Sequence, residues 1–405
     1  MHAGVRSQWV TIVCLGIVQI LAWGSSFYFP AVLAPPIVAD TGWPLSWVVG
    51  GVSIGLLIGG LISPQVGKWI ERHSGRPVLA ASSLLFATGL ATIGVAPTLP
   101  IYLAGWIIVG LGMGTGLYDA VFAALGKLYG HAARGPITNL TLFGGFASTV
   151  CWPLSAFLVE SIGWRGACFV YAGLHLFVAL PLQLYAMRAA AKPDDADDEK
   201  PVIVKPAPTQ RALDGTADHE KSILIILALV LSLAAGIGSI VVVHLLIFLQ
   251  ARGLDFTAAV ALGTLFGPAQ VAARVIESLF GRRYHPIWTL AASVSLMAIG
   301  LLMLMTSWRI VALAVILYAA GYGITWIARG TLPLALFGPE RFPRLMGKIA
   351  MPSLIVQALA PAAGAWAIEH YGTSATITAL ALLALINIVL MIALSLRTRA
   401  GSARS

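Results

Sequence analysis

Charge is scarce in this chain. Asp, Glu, Lys and Arg make up 10% of its 405 residues, against roughly 25% in an ordinary soluble domain. With 59% hydrophobic content there is too little polar surface to clothe a water-soluble fold, and a soluble enzyme is excluded. Cysteine is nearly absent too. Cys14, Cys151 and Cys168 lie in or beside apolar runs, so neither a disulfide framework nor a zinc spacing can be read from them. There is no Gly-x-x-x-x-Gly-Lys-Ser/Thr loop to cradle ATP and no His-Glu-x-x-His pair to hold a catalytic metal. No cofactor is expected, and no clustered nucleophile and base argues for an intramembrane hydrolase.

The chain is built instead of long apolar runs. A bilayer core about 30 Å thick takes roughly 20 apolar residues per helix. Twelve such runs succeed one another, the first at 9–33, the sixth at 166–187, the seventh at 222–249 and the last at 373–396. Those rich in Gly and Pro are expected to break. The first run is long and the second follows closely, so it reads as a retained helix and not a cleaved secretory signal. One long polar stretch, containing "KPDDADDEKPVIVKPAPTQ", has too much Pro and charge to pack and reads as a mobile linker. The expected organisation is a six-helix bundle at 1–188, a linker at 189–221 and a second six-helix bundle at 222–405.

The formal net charge is +9, but its placement matters more than its sum. Apart from Arg165, Arg252, Arg309 and Arg329, every one of the 25 Lys and Arg residues falls on the side that holds both termini. By the positive-inside rule that side is cytoplasmic, so the basic balance needs no nucleic-acid partner.

An equal division of spans invites a search for a repeat. "GKWIERHSGR" after the second span aligns without gaps on "ARVIESLFGR" after the eighth. Lys68 then matches Arg274, Glu71 matches Glu277, Gly75 matches Gly281, and Arg76 matches Arg282. "GMG" at 112–114 is echoed by "GYG" at 321–323, and "ESIG" at 160–163 by "EHYG" at 369–372. Three echoes in order point to a duplicated bundle. A substrate site has little reason to recur at the equivalent place, so the repeated cation and acid read as frame or gate. Three residues apart, they share a helical face and can pair with each other or with a neighbouring helix end.

With these motifs the chain resembles the major facilitator superfamily of transporters over nearly its whole length. "GKWIERHSGRP" is similar to that family's signature Gly-x-x-x-Asp-Arg followed by Gly-Arg, with Glu71 in place of the Asp. The resemblance implies an all-α membrane fold of two pseudo-symmetric six-helix bundles about a central cavity, working by alternating access. It also implies a gate at Gly67, Glu71, Arg72, Gly75 and Arg76, with Arg274, Glu277, Gly281 and Arg282 as the second copy. Trp106 stands where many proton-driven exporters carry Arg, and Trp152-Pro153 replaces the Gly-Pro of antiporters. "APAAGA" at 360–365 lies nearer the family pattern, and "DTGWPLSWVVGG" at 40–51 resembles the second helix of carboxylate-type members. Similarity to compact bacterial arsenite and antimonite exporters keeps a metalloid substrate open.

Outside the repeated turn, two charges lie deep in spans: Asp119 in the fourth and Arg329 in the tenth. Such residues mark a partner, a cavity or a pathway. Asp119 is a candidate for proton coupling and Arg329 for holding an anion with its planar fork, or the two bond each other. His244 is a second proton-coupling candidate, ahead of His175. Gln19, Trp23, Ser25, Tyr28, Tyr118 and Trp326 are candidates to line a mixed polar and aromatic cavity.

The expectation is a secondary transporter in a bacterial inner membrane, acting as a single chain among lipid and moving a small molecule, with proton-coupled efflux ahead of carboxylate uptake. A non-transporting sensor or assembly factor on the same fold is the alternative of another class.

Overall fold

The computed structural model describes residues 2–189, 210–306 and 310–402, apart from the side chains of 2–7, 189, 210–218, 282 and 400–402. Every described element is helical. In lipid no water satisfies the backbone, so each span must close its own hydrogen bonds. The apolar side chains that would be a liability in water face outward, with Phe177 74% and Val389 65% exposed.

The first span is made of α1 (His2–Gly24) and α2 (Phe29–Thr41). The second and third are α3 (Leu45–His73) and α4 (Gly75–Val95). In the fourth, α5 (Leu99–Gly116) and α6 (Tyr118–Tyr129) are offset at Leu117, whose backbone is extended. Next come α7 (Arg134–Gly145), α8 (Ala147–Leu174) and α9 (Leu180–Ala189). α8 reverses at Gly163, φ 74°, so α7 and the start of α8 form the fifth span. Its remainder continues through a π-turn at His175–Ala179 into α9 as the sixth.

α10 (Gln210–Gln250) begins inside the 189–221 stretch expected as linker, of which 190–209 lie outside the described residues, and carries the seventh span; α11 (Phe256–Gly263) with α12 (Phe266–Phe280) is the eighth, and α13 (Pro286–Leu304) the ninth. The last stretch, α14 (Val311–Ser402), is 92 residues long. At 1.5 Å per residue a straight helix of that length would reach about 140 Å, several bilayers deep. It breaks instead at Gly338, φ 72°, and Gly372, φ 81°, and so holds the last three spans. The twelve spans form two pseudo-symmetric bundles of six.

The sequence echoes have physical causes. Gly163 and Gly372, which close "ESIG" and "EHYG", both take the left-handed backbone that a side chain disfavours. In "GMG" and "GYG" the second glycine lets helices touch. A Cβ on Gly114 would come 2.8 Å from the Gly59 carbonyl oxygen, and one on Gly323 would come 2.9 Å from the Gln270 Cα. The fourth span is thus pressed against the second, and the tenth against the eighth.

The halves meet near their termini-side ends. α3 runs against the middle span of α14, with Gly67 under Pro343 and Gly347 under the Ser63 carbonyl. α7 meets α12 where Ser278 Oγ donates to Asn139 Oδ1 at 3.3 Å. Nearby, Arg134 donates to the carbonyls of Gly281 and Tyr284. On the opposite side, α2 packs on α3 and α8, and α11 on α10 and α14, each within its own half.

Candidate functional site

The offset at Leu117 sets Asp119 in the first turn of α6, where the unsatisfied N–H groups favour an acid. Opposite it stands Arg329 of α14. Nε donates to Oδ1 at 2.6 Å and Nη2 to Oδ2 at 2.9 Å, a two-bond fork. The two side chains are 3% (Arg329) and 13% (Asp119) exposed. The Trp326 ring lies 5.5 Å from the Arg329 guanidinium carbon. Among the described residues this is the one ion pair that joins the two halves. The space beside it, about 10 Å³ between Trp23, Leu56, Met113 and Trp326, holds about one water.

Arg274 is the second buried cation, 3% exposed, and its surroundings differ. Nε donates to the Gly323 carbonyl at 3.0 Å, Nη1 to the Thr141 carbonyl at 2.8 Å, and Nη2 to Gln270 Oε1 at 3.4 Å. Thr141 belongs to the first half and Gly323 to the second, so one guanidinium bridges both. Among the described residues no carboxylate lies within ion-pair reach of it. It faces a cavity of about 20 Å³ that Tyr28, Tyr118, Tyr322, Trp326 and Gln357 also line. Gly145 makes room for the fork, since a Cβ there would sit 2.8 Å from Nη1.

Of the two arrangements expected for the repeated cation and acid, pairing on one helical face forms in neither copy, whereas Arg274 reaches a neighbouring helix, α7, near its end at Thr141. Glu277 turns away from Arg274 and accepts from Thr289 Oγ1 at 2.6 Å. Lys68 is exposed and Glu71 half-buried, and neither is bonded through its side chain to a described residue. Lys127 instead caps the end of α3, with Nζ 3.0 Å from the Ile70 carbonyl. Arg72 and Arg76 make no ion pair among the described residues. Gly75 packs on Ala124, and Gly281 lies against Glu277. The side chain of Arg282 lies outside the described residues.

The structure gathers Trp23, Tyr28, Tyr118 and Trp326 beside Arg274 and Asp119. Trp23 lies 5.2 Å from Tyr118 and 5.5 Å from Trp326, ring centre to ring centre. Gln19 is a neighbour that holds the frame, its Nε2 donating to the Gly116 carbonyl at 2.7 Å. His244 is not brought to either arginine. Its Nδ1 meets its own helix at the Ile240 carbonyl, 3.0 Å away, and its ring packs near Gly364. His175 stacks on Phe86 at 4.7 Å, and its Nε2 meets Ser25 Oγ at 2.8 Å in the break between α1 and α2.

Phe27, Gln270, Tyr322 and Gln357 were not foreseen in the cavity. They come from four spans, and no local pattern links them. For Arg274 the available signal was a cation on an otherwise apolar helix face. Cys151 lies against Ile20 and Gly24, and Cys168 against Gly94. No group of three or more His, Cys, Asp or Glu side chains gathers among the described residues. Ser53 lies within Gly51–Gly55, which has Gly-x-Ser-x-Gly spacing. It sits inside α3 with no base bonded to it among the described residues, far from the strand-to-helix elbow such a nucleophile needs.

Two six-helix bundles enclosing a buried ion pair and a bridging arginine define a multi-pass membrane protein of the transporter type. Residues 15–286 and 264–405 match the Major Facilitator Superfamily, and the chain belongs to that family. It is 26% identical over 336 residues to monocarboxylate transporter 3 of Rattus norvegicus, across 80% of this chain and 65% of that protein. It is also 24% identical over 193 residues to monocarboxylate transporter 3 of Gallus gallus, across 45% of this chain and 34% of that protein. The chain thus spans less than two thirds of these relatives' own length.

The fold is shared with the human organic anion transporter TETRAN, at TM-score 0.70 and 16% identity over 96% of this chain and 99% of that one. It is shared equally with the transporter FucP in its outward conformation, at TM-score 0.69 and 13% identity over 96% and 99%.

Proposed function

We propose that the protein carries a small organic carboxylate across the membrane by alternating access, and that Arg274 holds the anion. The observation that carries this reading is a buried guanidinium with no carboxylate partner among the described residues, set between the halves and facing a cavity. A charge at bilayer depth costs at least ~2.5–3.5 kcal/mol on insertion scales. Carbonyl dipoles offset part of that, and an arriving carboxylate completes it as a two-bond fork. The name of the relatives, monocarboxylate transporter, supports the same charge on the cargo.

Arg329 is the other candidate anchor, but Asp119 already fills its fork. The pair therefore reads as a lock, with Asp119 as the group that takes the coupling proton. A proton on Asp119 removes the charge that holds Arg329. A carboxylate on Arg274 competes with the Thr141 carbonyl, which loosens another of the bonds between the halves. With both loosened, the contacts of α3 and α7 with α14 and α12 part, and the cavity opens toward the termini. Export or import follows the sum of the two gradients. The membrane is the bacterial cytoplasmic one, with both termini inside and the single chain as the working unit. Metalloid export has no such support, since no group of three or more His, Cys, Asp or Glu side chains gathers among the described residues.

The test is reconstitution in liposomes carrying a pH dye. Lactate, pyruvate or benzoate gradients drive proton movement through the wild type, and Arg274→Gln abolishes it while Arg274→Lys restores a small fraction. Full activity in Arg274→Gln would refute the anchor. A wild type that moves neither solute nor proton under any gradient would be a sensor on a transporter fold.

A further inference from the structure

Resting on the reading of Arg274 as the anion anchor, we propose that the carboxylate it holds is a monoanion with an aromatic or similarly flat, apolar body. The first observation is the charge count at the site. Two guanidiniums, Arg274 and Arg329, face one carboxylate, Asp119, which is already forked to Arg329. One positive charge remains. A second carboxylate on the ligand would be buried without a partner, which is costly at this depth.

The second observation is what surrounds that charge. Six of the side chains lining the cavity beside Arg274 are aromatic: Trp23, Phe27, Tyr28, Tyr118, Tyr322 and Trp326. They form one connected set across both halves. Phe27 lies edge-on to Trp23 at 5.7 Å and to Tyr28 at 5.3 Å. Trp326 meets Tyr118 at 5.6 Å and stands edge-on to Tyr322 at 6.3 Å. Such offset and edge-on contacts are the favourable geometries for rings. Besides Arg274, the polar groups there are the amides of Gln270 and Gln357 and the hydroxyl and indole N–H groups carried on the rings themselves, and the buried Oε1 of Gln357 has no partner among the described residues.

The third observation is how little space is left. At about 20 Å³ the rings fill the cavity with one another, so a ligand enters only by replacing ring contacts. A ring replaces them in kind. A two- or three-carbon acid offers the displaced rings fewer atoms to pack against and so restores less of the contact energy they give up. The cradle is also held in place. Trp23, Phe27 and Tyr28 flank the break between α1 and α2, which the bond from Ser25 to His175 ties to the sixth span.

The experiment is calorimetric titration of the full chain in detergent micelles, where weak acids cannot leak across a bilayer. Benzoate and phenylacetate should bind at least ~10-fold tighter than propionate or lactate, with no binding of succinate or benzyl alcohol. Trp326→Leu and Phe27→Leu should bring benzoate down to the level of propionate, and Arg274→Gln should remove both. Propionate or lactate binding as tightly as benzoate would overturn the inference while leaving the carboxylate reading in place. So would succinate binding tighter than either. Absence of binding by every carboxylate would refute the anchor and the inference together.

Discussion

Asp119→Asn should drive the protein out of the state in which its halves meet on the termini side. The substitution keeps the shape of the side chain but leaves Arg329, 3% exposed, without an anion. Removing one partner of a buried pair costs about 3–5 kcal/mol, because the remaining charge is stranded. The fork joins α6 to α14, so that cost falls on the closed arrangement and is relieved when the halves part. At 1.4 kcal/mol per factor of ten, the ratio of closed to open molecules should fall by about 100-fold or more. Asp119→Asn with Arg329→Gln strands no charge and should recover most of the closed population, a coupling that a double-mutant cycle reads directly. The assay is the distance between spin labels at His73→Cys and Glu340→Cys, exposed positions on opposite halves, measured in lipid nanodiscs. An unchanged distance distribution in Asp119→Asn would refute the lock. A double variant displaced as far as the single would refute the charge argument behind it.

Two further outcomes follow from packing. Gly323→Val should lower the thermal midpoint sharply and abolish activity, since its Cβ meets the Gln270 backbone at 2.9 Å, whereas Gly50→Ala, where nothing lies within 4 Å, should leave both unchanged. Midpoints measured in detergent decide this, and a stable, active Gly323→Val would refute the close approach of the eighth and tenth spans. His175→Ala should destabilise by about 1–3 kcal/mol through the lost bond to Ser25 and the space left beside Phe86. His175→Asn, which can still reach Ser25, should recover part of that loss in a chemical denaturation series.

Much of the architecture was legible before any coordinates. The twelve spans follow from one constraint, that a chain in lipid must satisfy its backbone hydrogen bonds helix by helix, and their division into two sixes from the duplication that the echoes record. That constraint is local, so it leaves a periodic, countable trace. The breaks near Gly24, Leu117 and Gly163 are likewise signalled by glycine and proline nearby, although the first span reaches Thr41, beyond the 9–33 run. The Asp119 and Arg329 pair was anticipated as one of two readings, because the repeat places them at nearly the same register.

The arginines show where local reading ends. Lys68 and Arg274 occupy equivalent places in a duplicated motif, yet one is exposed and the other is 3% exposed between the halves. Helical spacing allowed each to pair with the acid three residues on. Whether it does depends on what a neighbouring helix offers, and for Arg274 that is a carbonyl 133 positions away at Thr141. The sequence by itself determined that this is a two-bundle membrane protein with a few charges at depth. Only the tertiary structure decided which of those charges is paired with a carboxylate and which is held by carbonyls and an amide alone, because pairing is settled across helices whose contacts no periodicity records.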